Sequence, residues 1–144
     1  MSEVKLDEVY FFLLERTVRQ LRRFNQRELS NKGIDISGEQ WVILKRAHES
    51  PGLSQKEIAE STYKDPASVT RMLDLLEKRG LLKRMADEGD RRSSSIYTTE
   101  EGNNFVESVL PLAAEMRAFG LRSISKEDQK IFMEVLNKIY FNLE

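Results

Sequence analysis

The 144-residue sequence predicts a mainly α-helical fold with one small β-hairpin, and three observations predict it. Apolar residues recur at helical spacing through most of the chain. Ser37, Ser54, Asp65 and Ser125 stand where helix starts want a capping side chain. Residues 81–98 instead read as two short extended runs about the turn-forming Asp87-Glu88-Gly89-Asp90.

Taken in order, residues 6–30 read as one long helix, with Leu6, Val9, Tyr10, Leu13, Thr17, Leu21 and Phe24 at helical spacing. Its run Val9-Tyr10-Phe11-Phe12-Leu13-Leu14 is apolar on every side, so it has to be covered on every side, and a small domain rarely supplies that alone. A partner subunit is expected there. Asn31-Lys32-Gly33 ends this helix, and Ser37 with Gln40 opens the next as a capping box; it carries Trp41, Val42, Leu44 and Ala47 and stops at Ser50-Pro51-Gly52. Ser54 and Glu57 repeat the device for a short helix from Gln55 to about Glu60. Each cap contributes about 1 kcal/mol, enough to set where a short helix begins.

Asp65 caps a further helix with Pro66 at its first position, where a missing N–H costs nothing, and Gly80 ends it. Val69, Met72, Leu73 and Leu76 form its apolar stripe, while Ala67, Thr70, Arg71, Asp74 and Lys78 face away. Leu75 is an apolar residue off that stripe. Strands are expected over 81–86 and 93–98. Thr99 begins another helix, through Phe105, Val109, Leu112, Ala113 and Met116. Ser125 caps the last, which carries Ile131, Phe132, Val135, Leu136, Ile139, Tyr140 and Leu143.

Composition narrows the function. With 40% hydrophobic residues the chain can bury a real core, and its length suits one domain. Without cysteine there is no disulfide, thiolate metal site or thiol switch. No secretory signal is visible at the amino terminus, and Val9–Leu14 is far too short to span a bilayer, so a cytoplasmic protein with no membrane association is expected. His48 has no second imidazole to share a metal with, the carboxylates alternate with Lys and Arg as on exposed helix faces, and Ser93-Ser94-Ser95 has no histidine near it in sequence. The glycines are scattered at helix ends and turns and form no phosphate loop. Neither an enzyme nor a cofactor is expected.

The order helix, short helix, longer helix, hairpin from Ser37 to Thr98 is a helix-turn-helix plan with a wing. In that plan the longer helix enters the major groove of duplex DNA and its first side chains meet base edges. Those are Ala67, Ser68, Thr70 and Arg71, with Ser54, Gln55, Pro66 and Lys78 completing the expected contact. Asp74 would meet phosphates badly and belongs at the edge of the contact or in a pair with a basic neighbour. On the hairpin, Arg91 and Arg92 stand beside Asp90, with Lys83 and Arg84 on the incoming strand; an arginine on a thin ribbon suits the narrow minor groove. The bland alternative is a solvated hairpin tip. Residues 54–92 hold nine Lys/Arg against eight Asp/Glu, a net of +1, so geometry and two half-sites are expected to matter more than field strength.

The text from Ser54 to Gly102 resembles the MarR family of winged-helix regulators. "SVTRMLDLLEKRGLLKR" looks like that family's recognition helix and first wing strand, "DRRSSSIYTT" like its wing, and "TEEG" like the entry to the next helix. The resemblance implies a homodimer with residues 1–36 and 103–144 as dimerisation helices, residues 37–102 as the DNA-binding lobe, and two recognition helices in successive major grooves of a near-palindromic operator. It implies Arg92 as the wing-tip arginine, buttressed by Asp90. It further implies a repressor answering a small amphipathic or aromatic effector, with Tyr10, Phe11, Trp41 and His48 as candidate pocket residues. On their own chemistry Trp41 reads as core and Tyr10-Phe11-Phe12 as dimer core. The competing reading is a winged-helix module that binds protein and no specific DNA.

Overall fold

The computed structural model describes residues 2–87 and 89–144, and at positions 87 and 90–93 the backbone alone. The chain forms two compact units, Met1–Leu110 and Pro111–Glu144.

The first unit begins with a single 3₁₀ turn, Leu6–Glu8, followed by helix α1 (Tyr10–Asn31). The one continuous helix expected from residue 6 is therefore broken at Val9, whose backbone is extended (φ −85°, ψ 113°). No residue of that turn is buried and no side chain caps it, so nothing offsets the cost of nucleating helix there. Along α1 only Leu29 is buried; Tyr10 is 82% exposed, and Phe11, Val18 and Leu21 are also exposed.

Helix α2 (Gly38–Glu49) starts at a complete capping box: the Gln40 N–H donates to Ser37 Oγ at 3.1 Å and the Ser37 N–H to Gln40 Oε1 at 3.2 Å. It buries Ile43, Leu44 and Ala47. Strand β1 (Leu53–Ser54) is an element the sequence did not announce. Ser54 then caps α3 (Gln55–Thr62), which runs two residues past its expected end; Thr62 Oγ donates to the Ile58 carbonyl at 2.6 Å, and Tyr63 stops the helix in the left-handed region at φ 56°. Asp65 caps α4 (Pro66–Lys78), accepting from the Ser68 N–H at 3.1 Å. The expected stripe is buried through Val69, Leu73 and Leu76. Gly80, at φ 78°, lets the chain reverse while its own N–H and that of Leu81 close onto Glu77 and Leu76.

Strands β2 (Leu82–Asp87) and β3 (Asp90–Thr98) form the hairpin. β3 starts three residues earlier than expected because Asp87 and Asp90 are themselves paired, with Gly89 between them at φ 90°. β1 adds antiparallel to the other side of β3, with Leu53 opposite Ile96 and Ser54 opposite Ser95. The sheet order is β1-β3-β2, three strands where two were expected.

Thr99 ties this sheet to helix α5 (Glu100–Gly120). Its hydroxyl accepts from the Gly102 N–H at 2.9 Å and donates to the Gly80 carbonyl at 2.6 Å. A Cβ on Gly102 would lie 2.0 Å from the Leu81 carbonyl oxygen, so only glycine lets α5 pass the backbone just before β2. The core of this unit is Ile43, Leu44, Ile58, Val69, Leu73, Leu76, Ile96 and Val106, all at or within 1% of full burial.

The second unit holds the rest of α5 from Pro111 and helix α6 (Lys126–Asn142), capped by Ser125 at 3.1 Å to the Asp128 N–H. No residue of α6 is buried. Ile131, Phe132, Val135, Tyr140 and Phe141 are all exposed.

Candidate nucleic-acid interface

Helices α3 and α4 meet through the three-residue turn Tyr63-Lys64-Asp65. Gln55 crosses between them: its amide donates to the Thr70 hydroxyl, which donates to the Pro66 carbonyl at 3.0 Å, and its oxygen accepts from Arg84 Nη2 at 3.5 Å. Ser54 spends its hydroxyl on the Glu57 N–H at 3.1 Å. Three of the residues expected to touch DNA thus have structural duties and are half-buried: Gln55 and Thr70 join the two helices, and Ser54 caps α3.

The open face of α4 is formed by others. Ala67 and Arg71 are exposed and Ser68 half-buried. Asp65 Oδ2 accepts from the Ser68 backbone at 3.1 Å and from its hydroxyl at 3.3 Å, and Ser68 Oγ accepts from Arg71 Nη2 at 3.1 Å. This relay from cap to guanidinium aims Arg71 along the amino-terminal turn of α4. Pro66 is exposed at the start of the helix, and Lys78 is exposed at its last turn.

The charge on the hairpin differs from its sequence reading. Arg84 is engaged: its Nη1 lies 2.8 Å from Asp74 Oδ1 and 3.2 Å from Glu77 Oε1, and its backbone N–H donates to Glu77 Oε2 at 3.2 Å. With a side chain only 22% exposed, it joins β2 to α4 and is not a free wing cation. Asp74 accordingly sits in the pair with a basic neighbour. Lys83 remains exposed. The side chains of Asp90, Arg91 and Arg92 lie outside the described residues; their backbone belongs to β3.

Of the four candidate pocket residues, Tyr10 and Phe11 are exposed on α1 and Trp41 and His48 half-buried on α2. His48 Nδ1 is 3.0 Å from Asn103 Oδ1, which also accepts from the Thr98 hydroxyl at 2.5 Å. That oxygen can only accept, so Nδ1 carries the proton and the ring fastens α2 to α5. A depression of about 740 Å³ lies elsewhere in the lobe, beside the turn of α3 and α4, lined by Ser54, Gln55, Lys56, Tyr63, Lys64 and Pro66 among others. None of the four lines it.

Sequence reasoning passed over Arg79, whose Nη1 donates to the Asp35 carbonyl at 2.5 Å and whose guanidinium lies 5.7 Å from the centre of the Phe105 ring. It also passed over Asn103. Both depend on residues distant in sequence. At the end of α2 the Lys45 ammonium hydrogen-bonds Glu49 at 2.6 Å and holds that carboxyl below its ordinary value, helped by the charges of Lys45, Arg46 and His48. Among the described residues no group of three or more His, Asp or Glu side chains can hold a metal ion, and no helix is long and apolar enough to cross a membrane.

Comparison with known proteins bears on this geometry. The MarR family pattern matches residues 36–94, the span of α2 to β3. The transcriptional regulator HosA of Escherichia coli O127:H6 is 25% identical over 122 residues, 85% of this chain and 90% of that protein. The MepR protein of S. aureus, solved in complex with DNA, is 26% identical with a TM-score of 0.83, over 93% of this chain and 98% of its own. The PcaV transcriptional regulator of Streptomyces coelicolor, solved with its natural ligand, shares the fold over the whole of both chains at a TM-score of 0.88 and 22% identity. The pattern over the lobe and the regulators it resembles make the chain similar to the MarR family, and the fold it shares with PcaV spans the whole chain.

Proposed function

We propose that this chain is a DNA-binding transcription regulator that acts as a homodimer on a near-palindromic operator, with α4 as its reading helix. One observation carries the reading: α4 buries Val69, Leu73 and Leu76 on one side and leaves Ala67, Ser68 and Arg71 clear at its start, with Arg71 held by the Asp65–Ser68 relay. Small side chains let the backbone approach a groove, and a positioned guanidinium can address guanine or phosphate. MepR in complex with DNA supports this use of the fold. The exposed apolar residues of α1 and α6 support the dimer. Two reading helices about 34 Å apart then meet successive major grooves.

Regulation by a small amphipathic or aromatic effector follows the ligand-bound PcaV, and a repressor whose effector alters the spacing of its reading helices is the form we favour. Tyr10, Phe11, Trp41 and His48 remain its candidate contacts. On this reading the protein works in the cytoplasm and has no catalytic role; its relatives are regulators.

Selection of bound fragments from random duplex DNA tests the proposal. It should return a two-fold symmetric site with half-sites one helical turn apart. Arg71→Ala should weaken binding to that site by about 1–3 kcal/mol, roughly ten- to a hundredfold, with the dimer intact on a sizing column. Symmetric selection with no effect of Arg71→Ala would remove α4 as the reader. Failure to select any sequence, together with a stable complex with another protein, would favour the protein-binding module.

A further inference from the structure

We infer that the outward face of α1 is a second, sequence-independent binding surface for duplex DNA, formed by Arg16, Arg19, Arg23 and Arg27. At 100° per residue these four fall within an arc of about 80°, opposite the side that carries Leu14, Val18 and Leu21. They span about 16 Å along the helix axis. All four are exposed, and among the described residues none of them makes an ion pair; the Arg27 guanidinium lies 5.8 Å from the centre of the Phe24 ring. Glu15, one turn before Arg19, forms no ion pair with it.

Arg19 and Arg23, and Arg23 and Arg27, stand four residues apart, the spacing at which like charges destabilise a helix. Among the described residues no ion pair to these arginines offsets that cost, and an external polyanion would remove it. The choice of side chain identifies the polyanion. All five cations of α1, including Arg22, are arginine, whose planar fork grips phosphate oxygens in pairs. The charge distribution points the same way. Residues 54–92 carry a net charge of only +1, and within that total Arg84 is paired with Asp74 and Glu77, whereas α1 has five arginines against Glu15 and Glu28. The largest cationic concentration in a DNA-binding chain thus lies outside the reading helix. The surface does not depend on α4 reading sequence, so the two can fail separately.

The experiment measures binding of the full-length dimer to a random-sequence 30-base-pair duplex as a function of salt. Arg19→Gln with Arg23→Gln should lower the slope of log affinity against log salt by about 2, and affinity near 0.1 M salt by roughly tenfold or more, while the paired lysine substitutions retain most of both. Glutamine is a good helix former at exposed positions, so the fold should persist, checked by circular dichroism. The inference is overturned if the glutamine variant binds random duplex as the parent does, whether or not operator binding survives. It is equally overturned if the substitutions abolish binding to poly-glutamate or to phosphatidylserine vesicles and leave duplex binding unchanged, which would assign the stripe to an acidic protein or a membrane. Arg71→Ala in parallel should lose operator selectivity and keep the random-duplex slope.

Discussion

The winged lobe and the two long terminal helices handle the same kind of amphipathic helix in opposite ways. In the lobe, α4 hides Val69, Leu73 and Leu76 against residues of its own chain, and α2 does the same with Ile43, Leu44 and Ala47. In α1 a single residue, Leu29, is buried, and in α6 none is. Apolar area left in water forgoes about 25 cal/mol per Å², so Tyr10, Phe11, Phe132 and Phe141 represent stabilisation that the proposed dimer would supply. The lesson is that self-sufficiency is local in this fold. The lobe is completed by its own sequence, whereas the terminal helices keep apolar residues exposed for the proposed dimer to cover.

The severest way to break that contrast is Gly102→Val. Its Cβ meets the Leu81 carbonyl at 2.0 Å, and backbone cannot yield as a side-chain tip would, so the lobe should lose about 3 kcal/mol or more in denaturant unfolding. A variant of unchanged stability would show that the lobe is less tightly joined than its geometry indicates. Phe132→Glu addresses the other region: sedimentation should show the dimer dissociating at concentrations roughly thirtyfold higher or more than the parent, about 2 kcal/mol of lost association. The lobe's own unfolding transition should persist in the separated chains. Loss of both together would erase the distinction between the regions. The smallest effect is expected from Arg84→Met, which leaves Asp74 and Glu77 facing each other without their shared cation. It should cost about 1 kcal/mol of lobe stability and leave the salt dependence of DNA binding unaltered.

What could be read from the sequence was what is local. The boxes Ser37–Gln40 and Ser54–Glu57 and the Asp65-Pro66 start were legible because each cap closes over three residues, and all three are present as expected. The stripe of α4 was legible because its burial follows helical period. What was missed depends on partners distant in the chain. Two residues at Leu53–Ser54 carry no strand signal, and they become one only because Ile96 and Ser95 lie opposite. Arg84 looks like any wing cation until folding delivers Asp74 and Glu77 to it. At the candidate site, the sequence did not separate the residues by duty: Gln55 and Thr70 brace the two helices, while Ala67, Ser68 and Arg71 lie on the open face of α4.

The Thr99 junction has one more consequence. With no clearance between α5 and Leu81, and with the Thr99 hydroxyl pinned to the last carbonyl beyond α4, the start of α5 and the tail of α4 move as one part. A slight roll of α5 about its axis would therefore be geared directly into the pitch of α4, the proposed reading helix, with little slack in which the motion could be lost.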